Sequence, residues 1–399
     1  MDSKNTEKFL EDIKKCFNFF KKDIKHYLNQ ATETVYENKS NIIDGLLYLL
    51  LYTQKHNTYT NSAITISKFN KEKISRQALD KRSSLIKLND LNKINNQFYD
   101  TFLSQFKNDF NITDGVAINV YDDKEVKGYK KIILMSVVDS INSPQNLHIN
   151  KDIYKSEIKL FYDLLENGHY DNNKTFLFDA LYFSDKLTNK LYSKQLSFIS
   201  RMKRNSVYLN KFNIELKKKN FLDDYEIINN NGNKVRIINY KIKNKVFHLA
   251  TNLLDKEKYT VSYFKDAYKK RWEVELFIKI TKANTNLETT KTKDEIKLEI
   301  ITKSILLVTM IYNYFICLYK KYSKTDKKIN NTQFIKSFYS DLICKIIKGK
   351  FNKKELTFLF TLFFVLYDDS NKGNNERKAI MPYRCKWHYK EVFNKLKDE

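Results

Sequence analysis

The spacing of apolar side chains divides the chain into helical and strand-forming regions. Over residues 7–105, apolar positions recur at helical spacing, with one stripe at 9–20 and another at 42–52. After residue 108 the period changes, because residues 117–121 alternate and residues 131–138 form an apolar run typical of a buried strand. The chain has only 7 Gly and 2 Pro, so these changes of period set the predicted boundaries.

The region that begins at residue 109 is predicted to fold as strand, strand, helix, strand, helix, strand. This order is typical of an α/β (α+β) fold in which helices cover a mixed sheet. Residues 206–250 are predicted to be β-rich, and long helices are predicted to follow them. The later predicted elements are helices at about 153–165 and 184–194, strands at 175–178, 196–200, 235–240 and 246–250, and helices at about 268–282 and 294–322.

Composition adds a strong positive charge. The chain carries 72 Lys and Arg against 47 Asp and Glu, a formal net charge of +25. Nucleic acid is the commonest partner for such a charge, because each phosphate that Lys or Arg neutralises releases condensed counterions. An A/T-rich coding bias, which enriches Lys throughout a proteome, is the alternative explanation. A hydrophobic content of 42% with 14% aromatic residues excludes global disorder.

Several classes of protein are disfavoured by what the sequence lacks. The four cysteines are far apart and form no C-x-x-C pair, which predicts reduced thiols in an intracellular protein. The N-terminus opens no apolar signal region, and the apolar runs 304–318 and 356–367 are shorter than the roughly 18 to 20 residues that span a bilayer. No P-loop or G-x-G-x-x-G occurs, which argues against nucleotide hydrolysis. We expect no membrane partner.

Residues 74–86 are a candidate DNA-reading helix. Ser75 can cap a short helix, as in a helix-turn-helix motif that reads a DNA groove. A basic helical face that is merely solvated has the same pattern. The exposed face is predicted to carry Arg76, Gln77, Lys81 and Arg82.

A second cluster of polar residues shares one face of the predicted helix at 268–282. At about 100° per residue its four members fall within an arc of roughly 60°, but they spread over about 21 Å along the axis. This spread predicts a track for a nucleic-acid strand rather than a grip on one small ligand. An Arg271–Glu275 ion pair on a solvated helix is the simpler alternative. The four residues are Tyr268, Arg271, Glu275 and Lys282.

Two aspartates accompany predicted strands. Asp179 directly follows the buried strand at 175–178, which is the position where α/β sheets place their chemistry. Asp114 lies beside the first strand of the same sheet, in the dipeptide Asp114-Gly115, which is also common in turns. Either aspartate is alternatively an ordinary turn residue.

These residues together resemble a known family. The helix matches the pattern Y-x(2)-R-x(3)-E-x(6)-K without a gap, Trp272 follows the arginine, and Asp114 and Asp179 precede it in the expected order. The sequence therefore resembles the DDE transposases of bacterial insertion sequences, in the group marked by this YREK signature. The resemblance covers about residues 110–320. One departure is Leu181, where the family often has Gly.

The resemblance implies an RNase H-like catalytic domain in which Asp114, Asp179 and Glu275 hold two divalent ions, Mg²⁺ or Mn²⁺. The implied reaction is cut-and-paste transposition, in which DNA is hydrolysed at the element's ends and the freed 3′-OH attacks target DNA. Trp272 would either pack the helix against the sheet or stack on a displaced base. The expected phosphate contacts are Tyr268, Arg271, Lys282, Arg201, Lys203 and Arg204.

The resemblance also implies a homodimer bound to double-stranded DNA, both at terminal inverted repeats and at the target. Its cellular place would be the cytoplasm or nucleoid of a bacterium, or a host cell if the source is viral. Two other functions remain open: a stand-alone metal-dependent DNA nuclease, and an inactive DNA-binding descendant. We divide the chain into a helical DNA-binding domain (1–108), a catalytic domain (109–205 and 251–322) interrupted by a β-rich insertion (206–250), and a helical C-terminal region (323–399) for dimerisation.

Overall fold

A computed structural model describes most of the chain before residue 349. It covers residues 3–24, 28, 40–106, 109–121, 126–136, 144–149, 156–167, 173–204, 206–209, 222–242, 245–287, 294–323, 335, 339 and 342–348. The chain divides into two compact units, one formed by residues 1–103, 280–287 and 296–399 and the other by residues 104–279 and 288–295. Most of the predicted C-terminal region therefore lies outside the described residues.

The described elements follow one another in this order: α1 (Ser3–Asn18), α2 (Ser40–Tyr52), α3 (Tyr59–Asn70), α4 (Arg76–Ser84), α5 (Leu88–Phe98), β1 (Phe110–Tyr121), β2 (Val126–Ser136), β3 (Pro144–Ile149), α6 (Glu157–Asn167), β4 (Thr175–Phe178), α7 (Asp185–Ser193), β5 (Ser197–Arg201), β6 (Leu222–Ile228), β7 (Lys234–Ile242), β8 (Lys245–Thr251), α8 (Val261–Asn284), α9 (Glu295–Ser323) and α10 (Ile343–Lys348). Short π-helical segments extend α1 over Phe19–Asp23 and α5 over Tyr99–Leu103.

The first unit is helical, and α9 forms its core. Tyr314 of α9 packs against Phe98 and Phe102, with ring centroids 6.2 and 5.0 Å apart. By length and composition alone α9 could cross a membrane, but 89% of its most apolar window is buried inside the protein, as in the core helix of a soluble protein. This helix, which the sequence analysis grouped with the catalytic domain, belongs to the helical unit.

The second unit contains one eight-stranded mixed sheet in the order β3-β2-β1-β4-β5-β8-β7-β6. The central strands β1, β4 and β5 are parallel to one another, and the other neighbouring strands pair antiparallel. Strand β3 was not predicted. Strands β6 to β8, from the region predicted as a β-rich insertion, extend this same sheet at its other edge.

Helices cover both faces of the sheet, as the α/β prediction expects of an RNase H-like fold. On one face, α6 and α7 bury an apolar cluster that includes Phe161, Phe176, Phe178 and Phe198. On the other face, Tyr263 and Lys270 of α8 contact Phe110 of β1. Side chains alternate along a strand, so the residues of β1 and β4 with the parity of Phe110 and Thr175 face α8.

Candidate active site

Asp114 and Asp179 lie level with each other on neighbouring parallel strands. Strands β1 and β4 pair with Ile112 opposite Leu177, and two further residues along each strand lead to the two aspartates. The spacing of about 4.8 Å between strands then brings the carboxylates close together on the face that α8 covers. Asp114 lies inside β1, so it is not a turn residue, and Asp179 lies at the carboxyl end of β4, as predicted.

Leu181 does not prevent the turn after Asp179 from forming. The Leu181 backbone N–H donates to Asp179 Oδ1 at 2.6 Å, and the Tyr182 N–H donates to the Asp179 carbonyl at 3.3 Å. The family's glycine is therefore not required for this turn, in which the Leu181 side chain is exposed. The Asp179 carboxylate is held in place by a local backbone donor.

Asp114 lies in an excess of negative charge. Burial raises the pKa of Asp114 to about 6; the negative charges of Glu157 and Asp179 act in the same direction, while the Gly115 N–H and the Arg271 charge oppose it. A carboxyl whose pKa is raised by burial and by like charges lacks sufficient compensating cations. A site of this kind favours the binding of a positive ion.

Glu157, in the first turn of α6, is the carboxylate that the sequence analysis missed. It lies so close to β1 that a Cβ atom at Gly115 would overlap the end of its side chain. The Tyr182 hydroxyl, which is buried, donates a hydrogen bond to Glu157 Oε1. In the sequence Glu157 is simply a helix-starting acid, and the signal that could have revealed it is the glycine after Asp114.

Arg271 and Glu275 form an ion pair within α8. The guanidinium Nη2 donates to Glu275 Oε1; the Arg271 side chain is only 10% exposed, whereas that of Glu275 is 36% exposed. Burial opposes the charge on Arg271, but Glu275, Tyr268 and Asp114 raise the pKa of Arg271 above its usual value. Arg271 therefore pairs with Glu275 and acts on the Asp114 carboxylate only through its charge, at longer range.

Two of the four signature residues of α8 are buried, so a track for DNA along all four is not exposed in this structure. Tyr268 and Arg271 are each only 8% exposed, and burial raises the pKa of Tyr268 to about 12, whereas Glu275 and Lys282 are partly exposed. The physical reason is that the apolar residues Phe264, Val274 and Ile278, all buried, lie beside the signature around the helix. Angles show which residues share a face, but not which face meets the sheet.

Trp272 points outward rather than into the sheet. Its side chain is 58% exposed, and the Arg271 guanidinium carbon lies 6.0 Å from the indole centroid. An exposed indole beside a buried arginine does not stabilise the packing of the helix against the sheet. The packing role predicted for Trp272 is therefore not supported, and stacking on a displaced base stays a prediction.

The amino-acid sequence is similar to a known protein family. The family described as "Transposase DDE domain" matches residues 105–314, a span that contains β1 to β8, α8 and most of α9. The chain belongs to this transposase family. A solved structure titled "Cryo-EM structure of piggyBac transposase synaptic complex with hairpin DNA (SNHP)" is similar over 90% of this chain and 86% of that chain, with 13% identity and a TM-score of 0.46. Comparison with curated proteins finds no match.

The transposase domain fixes the start of its signature helix through Arg236 of β7. This arginine is almost fully buried and forms two bonds to Asp224, from Nε at 2.8 Å and from Nη2 at 2.6 Å. Its Nη1 also donates to the carbonyl of Tyr259 at 2.9 Å, just before α8. The strands of the β-rich region therefore help to position the helix that carries Glu275.

The other predicted phosphate contacts of the transposase have different surroundings. Arg201 ends β5 with its guanidinium carbon 5.4 Å from the ring centroid of Phe247, while Lys203 and Arg204 are exposed just beyond it. Lys282, in the last turn of α8, is partly exposed, and its carbonyl accepts a hydrogen bond from Lys55 Nζ at 2.8 Å. Within the part of the chain that the structure describes, Arg201, Lys203 and Arg204 form no ion pair with Asp114, Asp179 or Glu275.

The predicted N-terminal helix forms, and Ser75 caps it. The Ser75 side chain accepts from the Ala78 N–H at 3.1 Å. Arg76, Gln77 and Lys81 are exposed on α4. Arg82 is different, because its Nη1 lies 3.3 Å from Oδ2 of Asp44, a buried carboxylate in α2. The prediction that Arg82 belongs to the exposed face is wrong, since α4 uses this residue to hold α2.

The carboxylates suit a divalent ion in chemistry but are not arranged around one. Carboxylate oxygens are the hard ligands that Mg²⁺ and Mn²⁺ prefer, and the charges of Glu157 and Asp179 add to burial in raising the pKa of Asp114. Among the residues that the structure describes, no group of three acidic, His or Cys side chains could hold a metal ion as it stands.

Proposed function

We propose that this protein is a metal-dependent DNA transposase of the insertion-sequence type. It would cleave DNA at the ends of a mobile element and transfer the freed 3′-OH into target DNA. The observation that carries the proposal is the placement of Asp114 and Asp179 level on adjacent strands, facing the helix that carries Glu275, within a transposase DDE domain. The YREK signature would consist of Tyr268, Arg271, Glu275 and Lys282.

In this proposal Asp114, Asp179 and Glu275 hold divalent ions, Mg²⁺ or Mn²⁺. Bound ions of this kind lower the pKa of a water or hydroxyl nucleophile and stabilise the charge that develops on the leaving oxygen. Arg271 supports the site from its buried position, since it carries positive charge next to Asp114 and fixes Glu275 before the site assembles. Its release from Glu275 would free the guanidinium to bind a DNA phosphate by a bidentate fork.

The DNA partner is supported by charge and by the exposed residues around the site. The net charge of +25 favours double-stranded DNA, at terminal inverted repeats and at the target, through counterion release. Trp272 would contact a base next to the cut, and Lys203 and Arg204 would contact phosphates. Because two ends must be joined to one target, we propose a homodimer on DNA, acting inside a bacterial cell or, if the source is viral, a host cell.

The experiment is a strand-transfer assay on a labelled element end with Mg²⁺ and a supercoiled target. The expected result is cleavage followed by joining, and loss of both steps in the Asp179→Asn variant. The matched control is Asp266→Asn, since Asp266 is an exposed acid on α8 and its loss should leave activity intact. Cleavage without joining would identify a nuclease instead, and DNA binding without cleavage would identify an inactive DNA-binding descendant.

A further inference from the structure

We propose that Glu157 is a fourth carboxylate of the divalent-ion site, oriented by Tyr182 and admitted by the absence of a side chain at Gly115. This inference rests on the proposed function and deepens it, because the family resemblance assigns only Asp114, Asp179 and Glu275 to the site. Three features of the described residues support it, and they concern shape, orientation and charge in turn.

The first feature is the fit between Glu157 and Gly115. A Cβ atom at position 115 would overlap Cδ and Oε2 of Glu157. The carboxylate therefore occupies the space that the side chain of any other residue type at position 115 would fill. Gly115 is the direct neighbour of Asp114, and its N–H donates to Asp114 Oδ1 at 2.9 Å. The glycine, whose missing side chain lies on the α6 face of β1, therefore allows a carboxylate of α6 to reach the strand backbone next to the first acid.

The second feature is the orientation of Glu157 by Tyr182. The tyrosine is only 1% exposed; its ring lies edge-on to Phe161 of α6 with centroids 5.7 Å apart and stacks on Phe178 of β4 at 5.4 Å. Its hydroxyl donates to Glu157, and its backbone N–H donates to the carbonyl of Asp179. Tyr182 therefore connects the Glu157 carboxylate, through its hydroxyl, to the turn that carries the second acid, through its backbone.

The third feature is the charge that Glu157 adds. Its carboxylate lies against the backbone of Gly115, directly next to Asp114, so two negative charges are close together. A tyrosine hydroxyl needs only an oxygen acceptor, which a neutral Gln would supply equally well. A charged acceptor beside another acid is unfavourable in a protein without ions, and it becomes favourable when a divalent cation occupies the site.

The test measures Mn²⁺ binding to the full-length protein without DNA, by calorimetry and by the rise of Tm with Mn²⁺ concentration. We expect Glu157→Gln to weaken Mn²⁺ binding by about 10- to 100-fold and Tyr182→Phe to weaken it by up to about 10-fold, as for other groups that support metal ligands. In buffer with EDTA, Glu157→Gln should be at least as stable as the wild type, because the acceptor is kept and the repulsion is removed. A purely structural role would not produce this combination.

Glu166→Gln is the matched control, because Glu166 is an exposed acid near the other end of α6, and it should bind Mn²⁺ like the wild type. Wild-type affinity in Glu157→Gln, together with loss of binding in Asp179→Asn, would overturn this inference and leave the proposed function intact. Failure of the wild type itself to bind Mn²⁺ would overturn both. If Tyr182→Phe is poorly folded, the Glu157→Gln result alone decides the matter.

Discussion

Arg271 forms an ion pair with Glu275, which lies one helical turn further along α8. The arginine is buried against the sheet, and the glutamate lies where the helix begins to meet solvent. The same guanidinium acts on Asp114 from a distance, so it partly neutralises two acids that are predicted to bind the same ion. In this structure one carboxylate oxygen of Glu275 is thus paired with a protein cation.

Substitution of Glu275 should separate its chemical role from its structural role. Glu275→Ala leaves Arg271 buried without its counter-charge, so we expect a loss of roughly 1 kcal/mol in the free energy of unfolding, at the low end because the glutamate is partly solvated. Glu275→Gln keeps an oxygen acceptor and should cost less. Both should abolish DNA cleavage. Denaturant unfolding and an end-cleavage assay measure the two effects, and cleavage by the Gln variant would contradict the assignment.

Asp114 should destabilise the metal-free protein at neutral pH. Its pKa in the folded protein, about 6, lies above the ordinary value of 3.8, so the folded state binds more protons between these values. Stability contributed by this group is therefore present below about pH 4 and is lost as the pH rises to about 6. We expect Asp114→Asn to be more stable than the wild type at pH 7 in EDTA, by at most about 3 kcal/mol. This difference in stability should disappear as the pH falls to about 4.

Addition of Mn²⁺ provides the control for this pH effect. The ion should stabilise the wild type and not the Asp114→Asn variant, because a ligand that binds only the folded state adds to stability in proportion to its occupancy. The difference in free energy of unfolding between the wild type and Asp114→Asn should then narrow or change sign. Equal stability of the two proteins across the pH range in EDTA would show that Asp114 is not under electrostatic stress.

The parts of the site that depend on strand order were predictable from the sequence. Asp179 follows a short, fully apolar strand, and the rule that chemistry gathers at the carboxyl ends of parallel strands applies to it directly. Asp114 could be read either as a turn or as a strand residue, and its pairing with β4 decides the matter. The strands at 235–240 and 246–250, within the region 206–250 predicted to be β-rich, were also predictable, although their continuity with the main sheet was not.

The parts that depend on packing between elements were not predictable. Helical angles placed Tyr268 and Arg271 together correctly, but only the contact with the sheet shows that this face is buried. Glu157 is separated from Asp114 in the sequence by the strands β2 and β3, and although Gly115 signals free space beside Asp114, it does not show which side chain fills that space. Strand β3 begins with a proline and contains few apolar residues, so no period revealed it.

Trp272 should affect DNA binding without affecting stability. Because the indole is largely exposed, Trp272→Ala should change the free energy of unfolding by less than about 0.5 kcal/mol. If the indole stacks on a base beside the cut, the affinity for an element end with an unpaired base should fall by about 1 to 3 kcal/mol. Trp272→Phe, which keeps an aromatic face, should retain much of the affinity. A lower free energy of unfolding in the Ala variant, together with unchanged DNA affinity, would instead indicate a packing role.

Two basic residues of α4, Lys81 and Arg82, provide a matched pair for testing the N-terminal DNA contact. Lys81→Ala should weaken DNA binding, reduce the salt dependence of log K by about one and leave Tm unchanged, because Lys81 is exposed. Arg82→Ala should mainly lower stability, by about 1 to 2 kcal/mol, since Asp44 is buried and, among the described residues, keeps only Lys348 and the Asn70 amide as partners. Titration of DNA at several salt concentrations, with thermal unfolding of each variant, measures both effects. A loss of DNA affinity in Arg82→Ala at unchanged Tm would contradict this division of roles.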